Sequence, residues 1–569
     1  FVQKKGEWYP TQGKEAYLTG KVPSTASVVK NLDKDTLVLY DSENETSQRA
    51  WKQFEQILKD MRMGAKLVDV AKHESYSLSD YKKVVLLVTD LSRMEDQVQP
   101  LMDWTEKGGQ TLFAVTMGKE SNLDAIDHNL GVSYSNFEMD EVKEIYVDPD
   151  FMIGGGRNYK IEEPFESARK VSLESDVKVH AKTTDDSHTP LIWEKSYGKG
   201  KFVVDNLGIY ERNVRGIYAA SYSLLTEATV YPVINGSTYY IDDFPSPVPA
   251  GDGRFVKRDY DMSVSEFYTN VWWPDLLKLH EKYGIVHTGV VIENYEAQTD
   301  GKIVQQNDLD RFKYFGNSLL ANGGELGYHG YNHQPLSPSS VNYGEKYASY
   351  KTWKDKAAMK ASLSELIRFV NQLFPKAQKS VYVPPSNILS KEGREVIVND
   401  FPEIKAISSN YFPGDFTYSQ EFEVSPDGMI EEPRTVSGAV WDDFSQMTVF
   451  SEMNMHYVNN HFLHPGWAKM YKALDKEVSW VHNMSPSLRN LTGSELAGAV
   501  QRYGILKVSQ KYTKDALKID LENFHNHAYL MVRLNQNEVK KVKNGKVTHL
   551  TGDLYLLEAT NKSVTITLK

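Results

Sequence analysis

The apolar positions of this chain change period several times, and each change predicts a different kind of element. Between residues 35 and 115, short apolar runs ("TLVLY", "KLVDV", "VVLLV", "TLFAV") alternate with stretches of helical period. Trp51, Phe54, Leu58 and Met61 recur at three- and four-residue steps, which places them on one helical face, with Gly64 as the expected C-cap. A further helix is expected around Leu101 to Trp104, and the whole pattern predicts an open, mostly parallel α/β sheet. Near Ser237 the alternation restarts. "DLLKLHEKYG", "DRFKYFGNSLLANGG" and "DKAAMKASLSELIRFVNQLF" have helical period, and "HTGVVI", "GELGYH" and "SVYVPPSN" supply strands between or after them. Repeated βα units of this kind predict a (β/α) barrel, whole or distorted. Past residue 508 the runs shorten to "ALKIDL", "AYLMVRL", "DLYLLEA" and "SVTITLK", with Asn544-Gly545 as a hairpin signal, which predicts a small β-sandwich.

Three segments follow: an accessory α/β domain over 1–230, a distorted (β/α) barrel over 231–507 and a β-sandwich over 508–569. The first resembles flavodoxin-like or glutamine-amidotransferase-like domains. At 569 residues the chain exceeds what one core supports, and 40% apolar with 25% charged residues is a soluble globular composition. There is no cysteine, which removes disulfides, thiolate zinc sites and the amidotransferase nucleophile together. A net charge of −11 with no long basic run argues against nucleic acid as a partner. No run reaches the roughly 18–20 apolar residues of a membrane span. The chain begins at Phe1, which fits removal of a signal peptide or anchor and an extracytoplasmic location. "GGG" at 154–156 lacks the strand–turn–helix setting of a dinucleotide site. The 34 tyrosines and 10 tryptophans are flat amphipathic surfaces of the sort that line sugar clefts as well as cores.

Three stretches carry chemistry. "TYYIDDFPSP" (238–247) sets Asp242 and Asp243 side by side at the end of an apolar run. Adjacent carboxylates repel, and a metal or a shared proton makes the arrangement useful; a simple strand-end turn also accounts for it. "GELGYHGYNHQPL" places His329 and His333 four apart after a strand, where Gly327, Gly330 and Pro335 favour a loop. Two imidazoles and one carboxylate are a common divalent-metal set. "NNHFLHPGW" adds His461 and His464, the latter at a strand end, where a histidine acts as a general acid or simply bonds a turn carbonyl.

Taken in order, these stretches resemble the NodB-homology polysaccharide deacetylases (carbohydrate esterase family four) over about residues 237–500. The variant "YIDDFPSP" behind an α/β domain is most similar to divergent multidomain members, the Pel-type and galactosaminogalactan exopolysaccharide deacetylases of biofilms. The resemblance implies Asp243, His329 and His333 as ligands of one divalent metal. Zinc is the first expectation, and cobalt, nickel or iron suit the same donors. It implies Asp242 as general base, His464 as general acid and the backbone N–H of Ser386 as an oxyanion donor. The family's Arg-x-Pro-Tyr is here "VPPS" (383–386), and Arg434 in "EEPRTVSG" is the candidate replacement for the missing arginine. Asp442 or Asp443 is a candidate for the carboxylate that tunes the late histidine, and Trp467 and Tyr328 are candidates for substrate contact. The implied activity is hydrolytic removal of acetyl groups from N-acetylhexosamine units of an exopolysaccharide. An O-acetyl esterase or a catalytically inactive carbohydrate-binding protein is the alternative.

Overall fold

The computed structural model of the chain describes residues 15–118, 121, 123–245, 254–437, 441–464 and 470–569. The protein is mixed α/β and divides into two compact units. One comprises residues 1–26, 234–441 and 458–505; the other comprises 27–233, 442–457 and 506–569. The chain therefore leaves and re-enters each unit, where the sequence suggests three consecutive segments.

The unit that carries the strand-end motifs is built on nine strands: β1 Gly236–Phe244, β2 His287–Ile292, β3 Glu325–Gly330, β4 Val381–Tyr382, β5 Ala406–Ile407, β6 Glu423–Val424, β7 Ile430–Glu431, β8 Val436–Ser437 and β9 Val458–Leu463. Their spatial order is β6-β7-β5-β4-β3-β2-β1-β9-β8, parallel throughout except for β6 against β7. Among the described residues this sheet is curled and open, a half-barrel with β6 and β8 as its edges. The expected helices are present at Trp273–Tyr283, Leu309–Ala321 and Lys356–Leu373. Gly284 ends the first of them at φ 73°, the left-handed C-cap that glycine adopts at least cost. Along β1 the side chains alternate. Tyr239 and Ile241 join one buried cluster with Leu319, Leu363, Leu366 and Phe369, whereas Tyr240 joins a second with Leu496, Ala497, Val500 and Tyr503. Both faces of β1 to β4 are thus covered, which is why these strands read as continuous apolar runs rather than as alternation.

The other unit contains the strands Gly64–Asp69, Lys34–Tyr40, Lys83–Leu86, Gln110–Phe113 and Gly200–Asp205, parallel neighbours in that order. Four antiparallel strands extend this sheet, among them the long pair Val132–Val147 and Arg157–Leu173, which the apolar pattern did not announce. The helix Glu45–Asp60 buries Phe54, Ile57 and Leu58. Gly64 is not its cap. It opens the next strand, where a Cβ would run into the Asp33 carbonyl. The β-sandwich pairs two four-stranded sheets, one of which recruits Ala228–Val233 alongside Ala528–Leu534. Asn544-Gly545 is not a hairpin turn, because Val539–Lys543 pairs with Ser563–Leu568 in one sheet and Gly545–Thr551 with Leu554–Ala559 in the other.

Candidate metal centre at the strand ends

A regular strand points successive side chains to opposite faces, so two adjacent aspartates on β1 should not reach one site. The register shows how they do. Ile241 lies opposite Gly289 and Phe244 opposite Val291, so three steps on β1 span two on β2. This is a β-bulge, with Asp243 at φ 53°. Phe244 returns to the buried cluster of Tyr239 and Ile241, and the extra residue lets Asp243 turn towards the same side as Asp242. A second register shift, Val291 opposite Tyr328 and Ile292 opposite Gly330, lies at the end of β3 beside His329. Beyond it, a Cβ on Gly330 would collide with the Asn332 carbonyl. Asn332 in turn donates to the carbonyls of Glu296 and Gln298, both at 2.8 Å, and so anchors the turn that brings back His333.

Asp243, His329 and His333 each offer a ligand atom within 4.8 Å of the others. His329 Nε2 is 3.1 Å and His333 Nε2 3.3 Å from Asp243 Oδ1. Nδ1 of His329 donates to the Val383 carbonyl at 2.6 Å, so the ring proton sits there and Nε2 presents a lone pair. Among the described residues, His329 Nε2 and Asp243 Oδ1 are buried with no hydrogen-bond partner. With the ring neutral these are two acceptors facing each other at 3.1 Å, and they repel unless a cation lies between them. This donor set of two imidazoles and one carboxylate fits a divalent metal ion.

Around the triad the remaining charges are matched. Asp242 is 1% exposed and receives Arg434 Nη1 at 2.5 Å. The guanidinium also donates to Asn387 Oδ1 at 3.0 Å and to the Ser409 carbonyl at 3.3 Å, and its carbon lies 4.1 Å from the Phe462 ring centroid. Every edge of Arg434 is thereby oriented, and its charge is directed at Asp242. His464 Nδ1 is 3.3 Å from the second oxygen, Asp243 Oδ2. Burial opposes its protonation, but the hydrogen bond it donates to Asp243 and the charges of Asp242 and Asp243 raise its pKa above the usual imidazole value. Burial also pushes the Asp243 carboxyl up, yet the imidazoles of His329, His333 and His464 close beside it hold it far below the ordinary carboxylate range. Ser386 sits in a left-handed turn at φ 51° after Pro384 and Pro385. Its Oγ meets the Tyr350 hydroxyl, which is also 3.3 Å from His333 Nδ1.

The structure therefore brings together Asp242, Asp243, His329, His333, His464, Arg434 and the Ser386 turn. Tyr328 is a correction: it is 1% exposed and points to the opposite face of β3 from His329, into the core, out of substrate's reach. Trp467 lies outside the described residues. Asp442 accepts from Ser445 N–H at 2.8 Å as the cap of the helix Asp443–Met455, so its carboxylate is engaged in starting that helix. His280 bonds the Ile285 carbonyl at 2.7 Å, and His287 is buried, which lowers its pKa to about 4. The sequence reading missed Tyr350, Asn387 and the Val383 carbonyl. Only the repeated tyrosines of "YGEKYASY" (343–350) carried a signal for the first.

Among solved structures, the chain is similar to a Mycobacterium smegmatis protein assigned as a polysaccharide deacetylase (16% identity, TM-score 0.32, 47% of this chain and 91% of that one). It is also similar to a glutamine amidotransferase from Thermotoga maritima (15% identity, TM-score 0.24, 31% of this chain and 76% of that one). A third similarity is to a β-galactosidase from Bacillus circulans sp. alkalophilus (14% identity, TM-score 0.23), covering 33% of this chain and only 29% of that enzyme's length. No curated protein matches the chain. A family model described as "Uncharacterised protein conserved in bacteria (DUF2194)" matches residues 24–186 and 157–556, and the chain belongs to that family.

Proposed function

We propose that this chain is a metal-dependent carbohydrate de-N-acetylase that hydrolyses the acetamide of N-acetylhexosamine units in an exopolysaccharide outside the cytoplasm. The observation that carries the reading is the pair of facing lone pairs on Asp243 and His329, completed by His333 and flanked by an acid and a base. A divalent ion held there supplies Lewis acidity at the acyl oxygen and acidifies a water. Asp242, held and aimed by Arg434, accepts the proton of the attacking water. The Ser386 N–H contributes a hydrogen bond to the developing oxyanion. As the C–O bond forms and the C–N bond breaks, His464 donates a proton to the departing nitrogen, which leaves as the sugar amine with acetate as co-product. The upward shift of the His464 pKa, set by Asp243 and Asp242 against burial, favours the protonated form that this role needs. An amine needs that proton to leave, whereas an alcohol leaves an ester more readily.

The test is acetate release from N-acetylated against O-acetylated hexosamine polymers by zinc- or cobalt-loaded protein, with His464→Ala beside wild type. Release from the N-acetylated polymer, lost in the variant, supports the reading. Release from the O-acetylated polymer alone makes the protein an esterase. No release from either, with no metal bound, leaves a carbohydrate-binding protein.

A further inference from the structure

The segment between β3 and the helix Lys356–Leu373 returns to the metal centre through Tyr350, and three more aromatic rings continue outward from it. The His333 ring centroid is 5.8 Å from Tyr350, Tyr350 is 5.9 Å from Tyr347 with the planes 14° apart, and Tyr347 is 6.3 Å from Phe416. Tyr343 braces this row from below: it is 5% exposed and lies 5.6 Å from Phe416 and 6.3 Å from Tyr347. Tyr295 also lies nearly parallel to the His333 ring, at 6.4 Å. Phe416 and Tyr295 are 46% and 49% exposed, among the few large apolar side chains of the described residues that face solvent. Phe416 also adopts φ 60°, a conformation in which glycine or asparagine is the usual residue. A large apolar ring is therefore presented to water on a backbone that does not favour it. An exposed aromatic patch of this kind marks a binding surface more often than a packing accident.

We propose that Tyr347 and Phe416 form a subsite that binds sugar units next to the one being deacetylated. This inference rests on the deacetylase reading and extends it to a polymeric substrate. The argument for a sugar chain is continuity: ring contacts run without a break from a metal ligand through Tyr350 and Tyr347 to the solvent-exposed Phe416, beyond the reach of a single sugar unit at the metal. The exposed Phe416 ring matches the C–H face of a pyranose, while Tyr347, half-buried, stacked on Tyr350 and with Lys346 Nζ 5.2 Å from its ring centroid, supports that ring and offers its hydroxyl as a polar edge. Neither Tyr347 nor Phe416 belongs to the motifs that build the metal centre. The subsite governs the length of chain that is recognised; the bond that is cleaved is set by the metal centre.

The experiment uses N-acetylglucosamine and N-acetylgalactosamine oligomers of one to six units with the full chain, wild type beside Phe416→Ala and Tyr347→Ala. In wild type, kcat/KM rises with oligomer length; in either variant the ratio of hexamer to monomer falls by about five- to tenfold, the range expected for one lost ring contact. Calorimetric binding of the same oligomers to metal-free protein provides a readout independent of catalysis. If no oligomer is deacetylated but the hexamer binds more tightly than the monomer, and Phe416→Ala removes the difference, the deacetylase reading fails and the subsite stands. If hexamer and monomer bind equally in wild type, or the length dependence survives both variants, the subsite is overturned. Phe416→Leu, which keeps bulk without a ring, controls for folding and should fall with the alanine variant.

Discussion

Two clusters of histidine and carboxylate, one in each unit, use the same chemical groups to opposite ends. In one, His456 lies between Glu452 and Asp60, with Nδ1 2.6 Å from Glu452 Oε2 and Nε2 2.9 Å from Asp60 Oδ2. All three side chains are at most 5% exposed. Both ring nitrogens donate, so the ring is an imidazolium. Burial alone would lower its pKa, but the Glu452 charge and the hydrogen bonds with Asp60 and Glu452 raise it to about 10. In the other cluster, His329 donates once, to a carbonyl, and turns a lone pair towards Asp243, while His333 and His464 remain 20% and 30% exposed. The first cluster sets a carboxylate against each ring nitrogen, with Glu452 Oε1 left unpartnered; the second leaves an imidazole nitrogen facing a carboxylate beside solvent. What marks the second as the candidate metal centre is that one carboxylate and two imidazoles offer ligand atoms within 4.8 Å of one another, more than the number of charged residues gathered.

The contrast breaks most sharply at Asp243. In Asp243→Ala, zinc affinity in a competition titration with a chromophoric chelator should fall by about a thousandfold or more, beyond the roughly 10–100-fold cost of losing an outer-shell partner. Acetate release should drop to background. Affinity within tenfold of wild type would mean the three residues do not hold the ion.

His456→Ala should do the reverse. Removing one partner leaves buried carboxylates uncompensated, and the expected loss is about 3–5 kcal/mol in the urea transition of that unit, with zinc affinity unchanged. The pH dependence has a definite sign. The folded pKa is raised above the ordinary 6.5, so the stabilisation is fully present below pH 6.5 and is lost as the pH rises through about 10. The variant's stability should therefore approach that of wild type at high pH. A gap that stays constant from neutral pH to pH 10.5 would show that His456 acts through packing alone.

Much of this site is legible in the sequence because its residues sit where strands end, and apolar runs mark strand ends well. "YIDD", "GYHGYNH" and "NNHFLH" are visible on those grounds. The bulge is not visible: simple alternation would send Asp242 and Asp243 to opposite faces, and the extra residue is readable only once β1 is paired with β2. On β3, Tyr328 turns into the core and away from the site that its neighbour His329 enters. Arg434 lies 192 residues from Asp242, so its pairing depends on strands that the local pattern does not order. The interleaving of the two units escapes for a related reason, since Ala228–Val233 finds its partner in Ala528–Leu534, some three hundred residues on. Turn signals fail where tertiary pairing overrides them, as at Asn544-Gly545.

The smallest expected effect belongs to Tyr350, and it tests how far the second cluster's proton arrangement extends. For Nε2 of His333 to offer a lone pair, its Nδ1 must carry the ring proton and donate to the Tyr350 oxygen 3.3 Å away. The Tyr350 O–H is then free to donate to Ser386 Oγ, so one hydroxyl fixes the tautomer of a metal ligand and steadies the turn that bears the oxyanion donor. Tyr350→Phe keeps the ring and removes this link. Because the Nδ1 contact is long and half-exposed, the loss in metal affinity should sit near the low end for an outer-shell partner, about tenfold. The visible spectrum of the cobalt-substituted protein should shift as the His333 ring loses its orientation, a change that loss of packing alone would not produce. An unchanged spectrum and affinity would show that His333 is oriented by its loop, anchored through Asn332, and would confine Tyr350 to the start of the aromatic row.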